Sequence, residues 1–268
     1  MRTAVSGLAL LGILLIVSVD ARAQDDTPAG ATSWGGFYIG FNAGRAWKNE
    51  TNVLTVVNDS PNHYFNPAAL PGVNDSGTTE LKGNGFTGGG QLGYNQQSGN
   101  LVWGTEVDFA YLDLNPSHGG TFTYTTDGSP YQLVTSESSQ WLFSIRPRVG
   151  WSLDRWLLYG TGGFAANHSR YQQDFSEGDF TPAPMQLLHS QVKLGWTAGA
   201  GMEVALGRHW SGRGEYLFSQ FGKNGETGKL AGASGSSPAA GFVDGATFNN
   251  SISSMKIHVV RFGLNFRF

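Results

Sequence analysis

Alternation of apolar and polar positions, rather than long apolar runs, is the main pattern along the chain. Between residues 192 and 204 every second residue is apolar, beginning with Val192, Leu194 and Trp196, while Lys, Gly, Thr and Glu occupy the positions between them. Successive side chains of a β-strand point to opposite faces, so this stretch would have one apolar face and one small or polar face. At the helical period the same residues would scatter around a cylinder. We therefore predict a β-strand here, over 191–206.

Seven further segments show the same alternation, and we predict eight strands in all. The other seven are 36–47, 85–97, 101–112, 140–151, 155–167, 209–220 and 256–268. Connections of about 23 to 37 residues alternate with turns of about two or three, which is typical of transmembrane barrels with short periplasmic turns and long extracellular loops. The predicted fold is all-β: an eight-stranded antiparallel transmembrane up-and-down β-barrel with four long extracellular loops and three short periplasmic turns.

The N-terminal residues are predicted to be a cleaved signal peptide. Arg2 is followed by an apolar run and then by Ala21-Arg22-Ala23, which matches a charged region, a short apolar region and a small-residue cleavage site. We therefore divide the chain into a signal peptide (1–23), a periplasmic N-terminal segment (24–34) and an outer-membrane β-barrel (35–268). Beyond the leader no 18 consecutive residues are apolar, so no membrane-spanning helix is predicted.

Composition supports a β-fold and excludes several kinds of chemistry. The 268 residues include 39 Gly and 13% aromatic residues, with only 14% charged residues, which suits short strands and turns. The absence of Cys excludes disulfides, thiol catalysis and Cys-ligated metals. The chain without its leader has more acidic than basic residues, which argues against nucleic acid as a partner. The six His are scattered, so no metal and no cofactor is predicted.

Charged side chains indicate which face of each strand meets lipid. A basic residue at the lipid-facing midplane costs about 2–4 kcal/mol, so strand charges should point inward. Ten of them share the polar face, and we predict that they line the interior: Glu106, Asp108, Arg146, Arg148, Lys193, Glu203, Arg213, Glu215, Arg261 and Arg267. Arg45 and Lys256 fall on the apolar parity, but they lie near the long-loop ends, where their stems can reach the headgroups.

The interior charges are predicted to close the lumen. An eight-stranded barrel is just wide enough for side chains to fill it. We predict a mid-height network in which Glu106 pairs with Arg146, and Glu215 pairs with Arg261, on neighbouring strands. The alternative is a narrow water column around these residues, which would make the protein a small passive porin.

Tryptophans cluster near the ends of the predicted strands, as in the aromatic girdles of membrane barrels. We predict an interface girdle of Trp47, Trp103, Trp141, Trp151, Trp156 and Trp210. Trp34 also lies beside a strand end, whereas Trp196 lies deeper in its strand. Pro147 lies inside a predicted strand and removes a ladder donor, so we expect a bulge or a local break there.

Several segments resemble a known family. These are Trp34-Gly-Gly-Phe-Tyr-Ile-Gly-Phe-Asn-Ala-Gly, the run that begins Gly88-Gly-Gly-Gln-Leu-Gly-Tyr, and the closing Arg261-Phe-Gly-Leu-Asn-Phe-Arg-Phe. The sequence is similar in all eight strands, and in none of the long loops, to alphaproteobacterial porin-family or outer-membrane immunogenic barrel proteins, whose architecture resembles the OmpA transmembrane domain. The resemblance implies a role in envelope integrity and as a surface antigen. It also implies that Phe262, Phe266 and Phe268 form the signal read by the barrel-assembly machinery.

The expected partners follow from an outer-membrane location. They are outer-membrane lipid and lipopolysaccharide, the barrel-assembly machinery during insertion, and a possible host or surface ligand held by the long loops. Candidate contact aromatics in the loops are Phe65, Tyr124, Tyr131 and Phe242. The chain is not predicted to be an enzyme.

A remote alternative is an outer-leaflet lipid hydrolase. His168 and Ser169 lie at the mouth of the fifth predicted strand with Glu177 nearby in sequence, and these could act as base, nucleophile and orienting acid. Such residue types are common where a strand meets a loop, and nothing in the sequence shows that the three converge.

Overall fold

The computed structural model describes residues 33–59, 65–177, 185–229 and 246–268. Its strands are β1 (Gly36–Asn58), β2 (Thr79–Ser98), β3 (Leu101–Leu114), β4 (Ser117–Thr123), β5 (Pro130–Leu153), β6 (Trp156–Glu177), β7 (Met185–Ala205), β8 (Trp210–Phe221), β9 (Asn224–Lys229), β10 (Thr247–Ile252) and β11 (Met255–Arg267), and one helix, α1, runs from Leu70 to Gly77. Among these described residues, no helix is long and apolar enough to cross a membrane. The predicted signal peptide, and the periplasmic segment before Ser33, lie outside them.

Eight of the strands close into an antiparallel ring, in the order β1, β2, β3, β5, β6, β7, β8 and β11. The ring closes where β11 pairs with β1, from Tyr38 opposite Arg267 to Lys48 opposite Ile257. Each of the eight predicted segments falls, to within one residue, inside one of these strands, and the predicted all-β barrel is confirmed. We call this ring the barrel.

Tight turns join the ring strands at one end. Gly99 and Asn100 connect β2 to β3, and Asp154 and Arg155 connect β5 to β6. Gly99 and Asp154 both have positive φ angles, of 58° and 50°. Gly tolerates this conformation freely, and Asp is one of the few other residues that adopt it, so these turn sequences suit two-residue hairpins.

At the other end the strands continue well beyond the predicted limits. β1 was predicted to end at residue 47 and reaches Asn58, and β5 was predicted to begin at 140 and begins at Pro130. The regions predicted as loops also contain β4, β9, β10 and α1. We call this part of the molecule the extension; its described residues are 51–59, 65–81, 115–139, 169–177, 185–193, 224–229 and 246–253.

Irregular pairing marks the boundary between barrel and extension. The register shifts between Lys48 and Thr51 in β1 and between Ser139 and Trp141 in β5. An extra residue moves the following side chains to the other face of the strand. In β1 the buried positions are therefore even-numbered up to Lys48 and odd-numbered from Thr51 onward.

The expected break at Pro147 is present without a bulge. β5 pairs with β6 at Ile145 and again at Arg148 in an unchanged register, and the pairing is interrupted between them. The Thr161 hydroxyl donates a hydrogen bond of 2.9 Å to the carbonyl of Pro147. This side chain thus links β6 to β5 where their backbone pairing is interrupted.

Candidate functional site

The barrel interior at mid-height is occupied by a cluster that we call the charge network. Its members are Glu106, Asp108, Arg146, Arg148, Glu203, Arg213, Glu215 and Arg261, all of them buried. They come from β3, β5, β7, β8 and β11 and point inward because each lies on the inward parity of its strand. The network contains four basic and four acidic side chains, so its formal charges balance.

Glu106 lies at the centre of the charge network. Its Oε1 is 2.5 Å from Arg146 Nη2, and its Oε2 is 2.6 Å from Arg213 Nη1. Arg148 and Arg261 lie farther away, at 3.7 and 3.9 Å. The Tyr38 hydroxyl donates a hydrogen bond of 2.7 Å to Oε2. Because four guanidinium groups surround one carboxylate, the barrel is cross-linked through its centre.

Glu215 is the second bridging acid. Its Oε2 lies 2.6 Å from Arg261 Nη2, and its Oε1 lies 2.7 Å from Arg213 Nη2. Arg261 also binds Asp108 at 2.7 Å. The structure thus brings together both pairs predicted from the sequence, Glu106 with Arg146 and Glu215 with Arg261, within one connected network.

Two tyrosine rings complete the network, and small residues make room for them. The Arg148 guanidinium lies 4.0 Å from the Tyr159 ring centre and 5.6 Å from that of Tyr38, within the range of a cation–π contact. A Cβ at Gly93 would come within 2.3 Å of the Tyr38 ring. The glycine-rich strands therefore allow large side chains to extend across a narrow lumen.

Two of the ten predicted interior charges lie outside this network. The Arg267 guanidinium lies 4.7 Å from the ring centre of Trp34 at the short-turn end of the barrel and donates a hydrogen bond to the Ser33 carbonyl. Lys193 Nζ lies 2.7 Å from Glu137 Oε1, where the barrel meets the extension. Both residues are buried, so the interior charges form separate layers.

Lys48, Glu137 and Lys193 form what we call the junction cluster. Lys48 is paired with Glu137, and the Ser169 hydroxyl donates a hydrogen bond of 2.9 Å to Glu137 Oε1. Sequence reasoning missed Lys48 and Glu137 because both lie beyond the predicted strand ends. The sequence did contain a signal for Lys48, because its even-numbered position continues the inward row of Tyr38, Asn42 and Ala46.

Apolar layers separate the charged ones. At the short-turn end Trp34, Val102, Leu157, Tyr159 and Ala205 pack together. Between the charge network and the junction cluster lies a larger buried set, formed by Ala46, Leu112, Leu114, Leu142, Ala165, Leu217, Phe221, Met255, Ile257 and Val259. Charged and apolar side chains therefore occupy the barrel interior at different heights.

Trp34 occupies a different position from the other tryptophans near strand ends. It is fully buried inside the barrel, whereas Trp103, Trp151, Trp156 and Trp210 are 44–53% exposed on the outward face. Trp34 precedes β1, so strand alternation does not hold it on the outside, and its ring packs inside against Arg267.

The remaining predicted girdle and terminal residues lie on the outer wall. Trp47 stacks on His258 at 5.4 Å, and Trp141 stacks on His168 at 6.0 Å. Trp196, which the sequence placed deeper, is 48% exposed on the same wall. The three terminal aromatics differ: Phe262 and Phe268 are 69% and 75% exposed, while Phe266 packs at 5.2 Å against Trp210.

The residues of the hydrolase alternative are not brought together. Ser169 points into the junction cluster, while His168 points outward and contacts the Ser190 hydroxyl at 2.9 Å. Glu177 is hydrogen-bonded to Tyr124 in the extension. Adjacent residues of one strand face opposite sides, so His168 cannot act as the base for Ser169.

The loop aromatics proposed as ligand contacts form a core instead. Phe65 and Tyr131 are 4% and 3% exposed and pack with Phe175 and Phe248, and Tyr124 packs against the same cluster. The prediction of exposed contacts was wrong for these residues because it treated the region as loop. Phe242 lies outside the described residues.

Metal-binding geometry is absent from the part of the chain that the structure describes. No three His, Asp or Glu side chains there lie close enough together to hold an ion. The acidic groups of the lumen face arginine and lysine instead.

A closed antiparallel ring with an apolar outer wall and paired charges inside defines an outer-membrane β-barrel protein. Residues 9–268 match the family described as outer membrane protein beta-barrel domain, and the chain belongs to this family. It is 30% identical over 257 residues to a 31 kDa outer-membrane immunogenic protein of Brucella melitensis, covering 94% of this chain and 91% of that protein. A 22 kDa outer membrane protein of Rhizobium leguminosarum is 30% identical over 51% of this chain and 53% of its own.

Two solved outer-membrane proteins align with most of this chain at low sequence identity. The outer membrane protease OmpT of Escherichia coli aligns with 87% of this chain and 97% of its own, at a TM-score of 0.46 and 9% identity. OprG of Pseudomonas aeruginosa aligns over the same shares at a TM-score of 0.41 and 13% identity. The location and the predicted family are thus confirmed by the sequence relatives, whose names describe outer-membrane proteins and no enzyme.

Proposed function

We propose that this protein is a structural and surface component of the outer membrane that supports envelope integrity and whose lumen is closed to free diffusion. The single observation that carries the proposal is the charge network, in which Glu106 binds arginines from both sides of the barrel. Apolar side chains pack above and below it, and lower local polarity strengthens the ion pairs. Such an interior favours a rigid support over a channel, and no catalytic role is proposed.

Conductance measurement tests the closed lumen. The full chain, folded in detergent, is inserted into a planar bilayer, and a 16-stranded porin in the same membrane serves as the positive control. We expect the porin to give steady openings and this protein to give none. Steady nanosiemens-scale openings by the monomer would contradict the proposal.

The role in envelope integrity has its own test. A strain that lacks the protein is expected to lose viability in bile salts, and the wild-type gene is expected to restore it. A variant with Glu106 and Arg146 both replaced by Ala, expressed at the same level, should restore it less well. Equal growth of the deletion strain and its parent would exclude the role.

A small passive porin is the second candidate function. It is favoured by buried polar atoms that have no protein partner, namely Asp108 Oδ1, Ser144 Oγ and two nitrogens of Arg146. Buried polar groups of this kind are usually satisfied by water. Liposome swelling with a small sugar separates the two candidates, because only a passive porin accelerates it.

Recognition at the cell surface is a third candidate. The extension carries exposed apolar side chains above the barrel, including Leu54, Val56 and Leu188, each about half exposed. A folded extension would present conformational epitopes. Antibodies raised against the folded protein should therefore label intact cells and be competed by folded, but not by denatured, protein.

The closing strand supports the proposal that the assembly machinery recognises its end. Phe268 donates a backbone hydrogen bond of 3.0 Å to the Phe37 carbonyl, so the terminal residue takes part in closing the ring. Replacing Phe268 by Ser is expected to lower the amount of barrel in the outer membrane. The same replacement at Phe41, which is 74% exposed on the outward face of β1 and lies outside the predicted signal, is the control and should lower it less.

A further inference from the structure

A basic cleft lies on the outward wall of β1 and β2, just beyond the apolar part of the barrel surface. It has a volume of about 650 Å³, and its lining includes Arg45, Trp47, Lys82 and Asn84. The charge network inside the barrel does not explain why these basic side chains lie on the outer wall. Such groups are tolerated on an outer wall only near the headgroups.

The backbone shapes this cleft. Lys48 pairs with Gly83, and the register between β1 and β2 then shifts before Thr51 pairs with Leu81. A bulge of this kind bends its strand. It leaves a recess in the wall at the height where the barrel meets the extension.

Arg45 is directed into the recess and away from the apolar wall. In register it lies opposite Phe86, yet its Nη2 donates a hydrogen bond of 2.7 Å to Asn84 Oδ1, two residues farther toward the extension. Lys82 follows Asn84 on the same face of β2, with 60% of its side chain exposed. One guanidinium and one ammonium group thus line the same recess.

Lys256 adds a third basic group from the next strand. On β11 it lies two residues beyond His258, whose ring stacks on Trp47, and it is exposed on the same outward face. Among the described outward side chains of the three strands, Glu80 is the acidic one, and it lies 2.8 Å from Lys82. The described part of this wall is therefore net positive.

The surface below the recess is apolar. Phe41, Phe86 and Phe262 are 74%, 56% and 69% exposed on neighbouring strands. In the membrane such side chains are covered by acyl chains. A ligand that meets both surfaces has an anionic head and a hydrocarbon tail.

We propose that this recess binds the phosphate monoester of an outer-leaflet lipid, with Arg45 and Lys82 as direct contacts and Lys256 as an additional positive charge. A phosphate monoester carries about −1.5 to −2 charges near neutral pH, which suits three basic groups better than a singly charged diester does. Arginine binds phosphate through two parallel N–H groups, and lysine binds it as a point charge. The inference rests on the membrane location and not on the closed lumen.

Binding measurements on the detergent-folded full chain test the proposal. The probes are purified lipopolysaccharide, the same material after chemical removal of its phosphates, and sodium phosphate. We expect the wild-type protein to bind the phosphorylated lipid at least about tenfold more tightly than the dephosphorylated lipid. The double variant Arg45→Ala/Lys82→Ala should bind both forms equally.

A matched variant controls for the loss of charge. Arg155→Ala/Arg170→Ala removes two exposed basic residues from a short turn and from β6, away from the recess, and should keep the wild-type preference. Heat-modifiable gel mobility verifies that every variant is folded. The proposal is overturned if the wild type shows no preference, if the recess variant keeps it, or if the control loses it. Full competition by millimolar sodium phosphate would also overturn it, because soluble phosphate would then be the ligand.

Discussion

The barrel and the extension are built largely from the same strands, but the buried charge network belongs to the barrel and the main aromatic core to the extension. In β6 the inward positions run without interruption from Leu157 to Phe175. At barrel mid-height the inward side chains of neighbouring strands are charged, as in the network around Glu106. In the extension, Phe175, Tyr131 and Leu133 belong to an apolar core, and most of the buried polar side chains beside it are uncharged.

The difference follows from what surrounds each region. Around the barrel, lipid covers the outward side chains, so apolar residues are favoured there and charged ones are forced inward, where they must be paired. Around the extension, water covers the outside, and burial of apolar groups inside provides the usual driving force. The surrounding medium therefore decides which side of a strand is polar, while the strand geometry stays the same.

Breaking the charge network should have the largest effect. Glu106→Gln leaves the surrounding arginines without their central carboxylate, and we expect a loss of about 3–5 kcal/mol in the free energy of unfolding. Urea unfolding from lipid vesicles measures it. The matched control is Glu80→Gln, which removes an exposed ion pair and should change stability by less than about 1 kcal/mol. A Glu106→Gln protein as stable as the control would refute a structural role for the network.

Emptying the core of the extension should come next, and its effect should be local. Phe175→Ala removes a buried ring, which typically costs about 3–5 kcal/mol in a water-surrounded core. We expect faster protease cleavage in the extension with heat-modifiable barrel mobility retained. Gln132→Ala, an exposed position on β5, is the control. If the barrel unfolds together with the extension, the two regions are a single cooperative unit.

One substitution made on the outer wall of both regions gives the most direct comparison and the smallest effects. Val107→Lys places a charge in the lipid-facing middle of β3, where the cost is about 2–4 kcal/mol. Val56→Lys places it on the water-facing side of the extension, where a change within about 0.5 kcal/mol is expected. Both valines point outward, with 38% and 48% exposure. Equal losses in urea unfolding would contradict the assigned membrane boundary.

The sequence alone was sufficient to predict most of the barrel strands and the charged residues that point into the barrel. All ten charges predicted to point inward are buried, because a two-residue period assigns them to one face wherever the strand is regular. The sequence was not sufficient to predict where the strands end beyond the barrel. Beyond Lys48 a bulge reverses the parity, and both faces of β1 then carry a mixture of apolar and polar side chains, so the clear alternation ends and the region was interpreted as loop.

Only the tertiary structure decided which charges meet across the lumen. Glu106 and Arg213 are separated by 107 positions in sequence, yet their side chains lie 2.6 Å apart. Lys193 and Arg267 share the inward parity but lie in other layers, since height in a closed barrel depends on strand register across the whole ring. Strand periodicity is a local property of the backbone and can be read from neighbouring residues. Layer height and the contacts across the lumen involve distant residues, so they are determined only when the chain is folded.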